Sequence, residues 1–287
     1  MKILVTGGSG FIGGKLVQEL EWQGHDVDIC DVVHPPFKTM AKFYQKDICD
    51  VLSLPLVYDT VYHCAGLLGT GRLFDYVVEA EGVNVIGMLR LLEWLKGSGV
   101  PIISVGLIDN WLNPYMLSKH HAESYGMMYY HTFGVRFTSL RFTHVYGPGQ
   151  SVSQEKAVPT FVVQALRGEP LTIFGDGQSV MNLVFVRDAA SILADAISLR
   201  LWGKALDIAA GGGDIAVIDL AEKVIEIADS KSEIRFVPMR RGQPGTVRTP
   251  YDIAEAAKFF DLHHSLATSL DLGLAETIEW YRARGEY

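Results

Sequence analysis

The chain has 287 residues, 48% of them hydrophobic and 20% charged, with a formal net charge of −8. Such a composition suits one large buried core, or one core with a smaller lobe, and excludes a disordered chain. The negative balance argues against a general nucleic-acid binder, because nothing offsets phosphate repulsion, yet one or two arginines can still hold a small anionic substrate.

The opening "MKILVTGG" suggests a strand too short for a signal peptide, and no apolar run approaches the roughly 20 residues that span a bilayer. "KILVTG" and "HDVDICD" read as strands, with "FIGGKLVQELEWQG" between them as a helix stopped by Gly24. In "TGGSGFIGG", Gly7, Gly10 and Gly13 are spaced for a sharp turn, a close approach to a pyrophosphate and tight helix packing. The free amides around Phe11 and Ile12, at the helix start, can bind phosphate oxygens without a cationic side chain. Asp31 ends the second strand, where a carboxylate accepts both ribose hydroxyls of an adenosine and repels a 2′-phosphate. That favours NAD over NADP.

"AKFYQKD" gives a third strand, and Asp47 just after it is either a cofactor residue near the adenine or a helix N-cap. "TVYHCAG" is the fourth strand; Ala65 and Gly66 at its end have almost no side chain and leave room for the cofactor. Asn84 lies in the helix of "VNVIGMLRLLEWLKGSG" and reads as a buried hydrogen-bonding residue. The three cysteines, Cys30, Cys49 and Cys64, are odd in number, lack C-x-x-C spacing and end apolar runs. They read as small buried thiols, and a cytoplasmic location is the expectation.

"VPIISVG" is the fifth strand, followed by "NPYMLSKHHAE". Tyr115 and Lys119 are four residues apart, hence on one face of a helix that starts at the Asn113-Pro114 signal. An ammonium beside a phenol favours the phenolate and lowers its pKa, while also binding a nicotinamide ribose. The phenolate can then take a proton from a substrate hydroxyl as hydride leaves the same carbon. The alternative is an exposed tyrosine and a surface lysine. "RFTSLRFTHVYG" supplies another strand, and "YGPGQ" a turn cluster after which the punctuation changes.

The alternation predicts an α/β fold: a Rossmann-type doubly wound parallel sheet with right-handed crossovers and a smaller C-terminal substrate-binding lobe. The expected NAD-binding domain covers 1–146, with 182–210 returning to it; 147–181 and 211–287 form the lobe. The adjacent pairs His120-His121 and His263-His264 diverge on any helix and lack zinc-motif partners, so no metal is expected.

Seven blocks, "TGGSGFIGG", "GHDVDICD", "VYHCAG", "NPYMLSKHHAE", "LRFTHVYGPGQ", "LTIFGDGQ" and "GLAETIEWY", fall in the order of a known family. Over nearly its whole length the chain resembles the extended short-chain dehydrogenase/reductases, in particular the NAD-dependent epimerase/dehydratase group acting on nucleotide sugars. The resemblance implies a substrate lobe at the carboxyl edge of the sheet and a nucleotide-diphosphate sugar as ligand. It adds Ile48, Cys64 and Phe142 to the NAD contacts, and implies homodimers formed through helices near 80–96 and 115–131.

The chain also departs from that pattern. Val105 stands where the family has a serine or threonine after the fifth strand. Ser104, one residue earlier, is a candidate catalytic helper only if a bulge or twist turns it round. The segment from Gly106 to Asn113 is shorter than the family's active-site loop, and the carboxylate pair of the 4,6-dehydratases is absent, which disfavours a dehydratase. Met181 replaces an arginine that often grips the diphosphate, whereas Arg248 matches a second one. Phe174 matches the nucleobase pocket, and His144 falls where asparagine is frequent. Three readings follow. One is a nucleotide-sugar epimerase-type enzyme with Tyr115 as acid/base and Lys119 as its electrostatic partner. Another is an NAD-linked dehydrogenase or reductase of a smaller hydroxy or keto compound, favoured by Met181. The third is a non-catalytic NAD-holding subunit, favoured by Val105 and the short loop.

Overall fold

The computed structural model describes residues 1–287 except 70, 109–110, 212, 263–265 and 286–287. In chain order its strands are β1 (Lys2–Thr6), β2 (Asp26–Asp31), β3 (Lys42–Gln45), β4 (Thr60–His63), β5 (Ile102–Leu107), β6 (Phe137–Phe142), β7 (His144–Tyr146), β8 (Leu171–Phe174), β9 (Val180–Phe185), β10 (Lys204–Ile208), β11 (Asp214–Ala216) and β12 (Ile234–Val237). The helices that matter here are α1 (Phe11–Trp22), α2 (Val77–Glu81), α3 (Gly87–Leu95), α4 (Pro114–Phe133), α5 (Ala157–Arg167), α6 (Val186–Leu199), α7 (Val217–Ile227) and α8 (Leu270–Arg284).

Seven strands form one sheet in the order β10-β6-β5-β4-β1-β2-β3, and every pairing in it is parallel. The central strands β1 and β4 are buried almost throughout because both faces are covered, whereas the edge strand β3 is open at both ends. Leu16, Val17 and Leu20 of α1 and Ile192 and Leu193 of α6 cover one face. Met88, Leu91, Leu92 and Leu95 of α3, with Ala122 and Tyr129 of α4, cover the other. The chain runs outward from β1 through β2 to β3, then returns to lay β4 on the other side of β1. Between the carboxyl ends of β1 and β4 lies the switch point at which open α/β sheets bind ligands.

"RFTSLRFTHVYG", read above as one strand, is two. β6 stays in the large sheet, while β7 leaves it to pair with β9, His144 opposite Leu183. Asn182 holds the junction: its Oδ1 accepts from Thr143 Oγ1 at 3.1 Å and from Ala210 N at 2.8 Å, and its Nδ2 donates to Ala210 O at 3.0 Å. β9 therefore belongs to the three-stranded sheet β11-β9-β7, and only from α6 onward does the chain return to the large sheet. The smaller lobe gathers α5, α7 and α8 around Val158, Phe161, Ile173, Leu220, Leu274 and Ile278. Among the described residues, no helix is long and apolar enough to cross a membrane.

α4 is fixed at both ends by its sequence. Asn113 Oδ1 accepts from Met116 N at 3.0 Å, Pro114 fills the first helical position, and Gly134 closes the helix at φ 70°. Asn113 is buried, and its Nδ2 also donates to Trp111 O at 2.6 Å. Asn113→Ala should lower the free energy of unfolding by about 1–2 kcal/mol in chemical denaturation. An unchanged denaturation midpoint would show that the cap contributes nothing to holding the helix start.

Candidate active site

The turn after β1 is pinned between two strands: Gly7 N donates to Cys30 O and Cys64 N donates to Thr6 O, both at 2.9 Å. Gly7 has φ +72°, and a Cβ on it would stand 2.6 Å from Ala65 Cα. A Cβ on Gly13 would run into the carbonyl of Gly7, so helix and turn touch directly. Gly10 caps α1 with no side-chain bond, which leaves the amides around Phe11 and Ile12 open toward the cavity. Asp31 accepts from Ser9 N at 3.0 Å and from Val33 N at 3.1 Å. Each carboxylate oxygen retains a further lone pair for a ribose hydroxyl. Asp47 caps the short helix that follows it, accepting from Cys49 N at 2.8 Å, and it lines the cavity with Ile48. The cap reading of this aspartate is the one the hydrogen bonds show.

From this turn a cavity of about 1220 Å³ extends past Cys64, Ala65 and Gly66, along Tyr115 and Lys119, to Phe142 and into the smaller lobe. Asn84 is buried, accepts from Leu67 N at 2.7 Å, and donates to Leu67 O at 3.1 Å and Ser118 Oγ at 2.8 Å. It thus ties the strand end after β4 to the helix that carries Tyr115.

Tyr115 and Lys119 both face the cavity from the first turns of α4. Burial pushes the Tyr115 phenol well above its ordinary value, opposite to the lowering expected from Lys119. Lys119 is itself lowered by burial, against the pull of Cys64 and Glu123. Ser104 is not on the cavity wall. It is buried between His63 and Ser139 in the sheet, and β5 alternates without a bulge, so Val105 takes the cavity side. The expected role of Ser104 as a helper is corrected accordingly.

On the lobe side, His144, Phe174 and Met181 line the cavity. Arg248 does not. Its side chain is 71% exposed and ion-pairs with Asp214 at 2.5 Å, outside the wall formed by Val247 and Thr249. Arg72, Arg240 and Arg241 line the cavity instead; Arg240 stacks 4.4 Å from the Phe174 ring centroid and donates to Glu155 O at 3.0 Å. Lys156 was also missed: its Nζ lies 5.6 Å from the centroid of the Tyr115 ring. Burial, aided by Arg240, draws the Lys156 ammonium down to about 8. His144 is held to about 4 by burial first and then by Lys156, so its imidazole is neutral. The Lys156 side chain had one signal in the sequence. A cation at the N-cap of α5 opposes both cap preference and the helix dipole.

Among the described residues no cluster of three or more His, Cys, Asp or Glu is placed to hold a metal. His121 faces Glu81 at 3.5 Å, and His263-His264 lie outside the described residues. A glycine cradle that a Cβ would fill, open helix amides and an acid at the end of β2 fit a dinucleotide, and Tyr115 and Lys119 line the same cavity.

The geometry defines a Rossmann-type NAD enzyme. Residues 3–201 match the model of the NAD dependent epimerase/dehydratase family, and the chain belongs to that family. It is 28% identical to an uncharacterized UDP-glucose epimerase of Bacillus subtilis, over 98% of each chain. It is 26% identical to UDP-glucuronic acid decarboxylase 4 of Arabidopsis thaliana, over 99% of this chain and 69% of that one. The UDP-glucose 4-epimerase of Thermotoga maritima, solved with UDP-glucose, superposes with a TM-score of 0.90 at 27% identity, covering 99% of both chains.

Asp31→Ala should weaken NAD binding about 10–100-fold in calorimetry, the span of one charged hydrogen bond, and should narrow the gap to NADP. If wild-type protein binds NADP as tightly as NAD, Asp31 does not read the ribose.

Proposed function

We propose that the protein is a nucleotide-sugar epimerase-type enzyme that inverts a sugar hydroxyl carbon through a transient keto sugar. The observation that carries this reading is one continuous cavity with the dinucleotide cradle at one end, Tyr115 and Lys119 in the middle, and Phe174 with Arg240 at the other. Its volume of about 1220 Å³ exceeds the roughly 300–1,000 Å³ typical of a single-ligand pocket, so a cofactor and a sizeable second ligand fit together. That size weighs against the smaller hydroxy or keto substrate suggested by Met181.

NAD, when bound, supplies the acceptor that takes a hydride and gives it back, so no net oxidation accumulates. Tyr115 takes the hydroxyl proton as the carbinol C–H bond breaks, and returns it when the carbonyl is reduced from its other face. Burial makes an isolated phenolate costly, so the ammonium of Lys119 on the same helix face is the group that makes it accessible. Val105 offers no hydroxyl to orient the substrate, which leaves Tyr115 as the group on this wall that exchanges a proton with it.

A homodimer is part of the reading. Val78 and Ile86, on and beside α2, and Leu117, Tyr125 and Met128 of α4 are exposed large hydrophobics. On α4 the spacing of 117, 125 and 128 sets them in one stripe. Three free cysteines, with the Cys30 and Cys64 thiols pushed up by burial to about 11 and about 12, suit a reducing cytoplasm.

Tyr115→Phe should lower turnover about 10²–10⁴-fold while NAD affinity is unchanged. Wild-type enzyme given UDP-glucose-type substrates should form the epimer without free NADH appearing. Release of NADH in step with product would move the assignment to a dehydrogenase; a wild type no more active than Tyr115→Phe would favour the non-catalytic reading. In sedimentation the protein should run as a dimer, and Tyr125→Glu should shift it to monomer. A wild type that stays monomeric at high concentration removes the α2–α4 face as an interface.

A further inference from the structure

The relatives above include proteins named for neutral and for acidic sugars, and one buried cation of this chain bears on the difference between those classes. Resting on the nucleotide-sugar reading, we propose that Lys156, with His144 beside it as an acceptor for a ring hydroxyl, forms a subsite for a carboxylate carried on the reacting sugar ring, so that the preferred substrate is a nucleotide uronate-type sugar.

Three observations converge. Lys156 lies on the cavity wall with its Nζ 5.6 Å from the Tyr115 ring centroid, and among the described residues no carboxylate lies within ion-pair reach of it. The cation sits at the N-cap of α5, where the helix dipole already favours an anion, so the ligand must supply the negative charge that the protein does not. His144 borders the same space, and its Nδ1 is buried without a hydrogen-bond partner. A buried polar atom left unpaired is costly; with the ring's other nitrogen bonded to the Asn182 backbone, Nδ1 is an acceptor, and a hydroxyl beside the carboxylate on the sugar ring would satisfy it.

Position distinguishes this subsite from a diphosphate site. Arg240, bonded to Glu155 O beside Lys156, turns its guanidinium onto the Phe174 ring, on the side of the cavity where the nucleotide half belongs. Lys156 instead stands beside the phenol that exchanges the proton. An anion there is attached to the ring close to the reacting carbon, whereas the diphosphate leaves from the anomeric end. A neutral hydroxymethyl at the same place would leave the ammonium buried and uncompensated.

The test uses NAD-loaded protein and three probes with one nucleotide: UDP, UDP-glucose and UDP-glucuronate. Wild-type protein should bind UDP-glucuronate at least about 10-fold more tightly than UDP-glucose, as expected for a charge-assisted contact. Lys156→Met should lower UDP-glucuronate affinity about 10–100-fold and leave UDP and UDP-glucose within a few fold, which removes the preference. Lys156→Arg should retain most of it, showing that charge and not shape is read. An equal loss for all three probes in Lys156→Met would make Lys156 a diphosphate ligand and overturn the inference alone. So would a wild type that binds the two sugars equally. Failure of UDP itself to bind would overturn the nucleotide-sugar reading together with the subsite.

Discussion

The close approach of two strand ends governs the rest of the site. Gly7 at the end of β1 lies against Ala65 beyond β4, with the backbone of one in van der Waals contact with the other. Only a glycine at φ +72° permits it, and the hydrogen bonds from Gly7 to Cys30 and from Cys64 to Thr6 hold it from both sides. The start of α1 is thereby drawn down onto the switch point of the sheet. Its unpaired amides face the same space as the ends of β4 and β5. Without that contact the phosphate cradle and the tyrosine helix would open onto different clefts.

The second constraint joins the two lobes. β6 runs in the large sheet and its continuation β7 in the small one, so the chain must change partners within a single residue, Thr143. Asn182 makes this possible by bonding Thr143 and both backbone groups of Ala210 while fully buried. His144 is the next residue after that break, which is why a β-strand side chain ends up at the mouth of the substrate half. Asn84 plays a similar part on the other side. It joins the Leu67 backbone to Ser118, and Ser118 Oγ donates to Tyr115 O at 3.0 Å. The helix that carries Tyr115 and the end of β4 are thus held in one hydrogen-bonded unit.

What was legible in the sequence was local. The glycine turn, Asp31 and the Tyr115–Lys119 pair each depend on spacing within one or two elements, and spacing survives folding. The parallel sheet follows from the alternation of strands and helices, whereas the order of its strands was not legible. Arg248 was misjudged because its fate rests on Asp214, 34 residues away in sequence, which draws its guanidinium outward. Arg240 could not be chosen over Arg241 or Arg248 without the path of the segment after β12. The protonation behaviour of Tyr115 was also out of reach, because burial is a property of the assembled cavity and outweighs a neighbour four residues off.

Burial also explains how an active site tolerates Val105. An orienting hydroxyl on the β5 wall is a weak neutral contact, and its loss removes a modest directional preference. Lys119 lies four residues along the helix from Tyr115 and Lys156 stands over the Tyr115 ring, and both lie where desolvation strengthens their fields. Each is itself destabilised by that burial, so each gains most when negative charge develops nearby: on the phenolate for one, on the ligand for the other. A wall with an apolar residue in place of a hydroxyl keeps water from screening those fields. In the proposed reaction the proton transfer relies on charge held on the cavity wall rather than on a hydrogen-bonded relay.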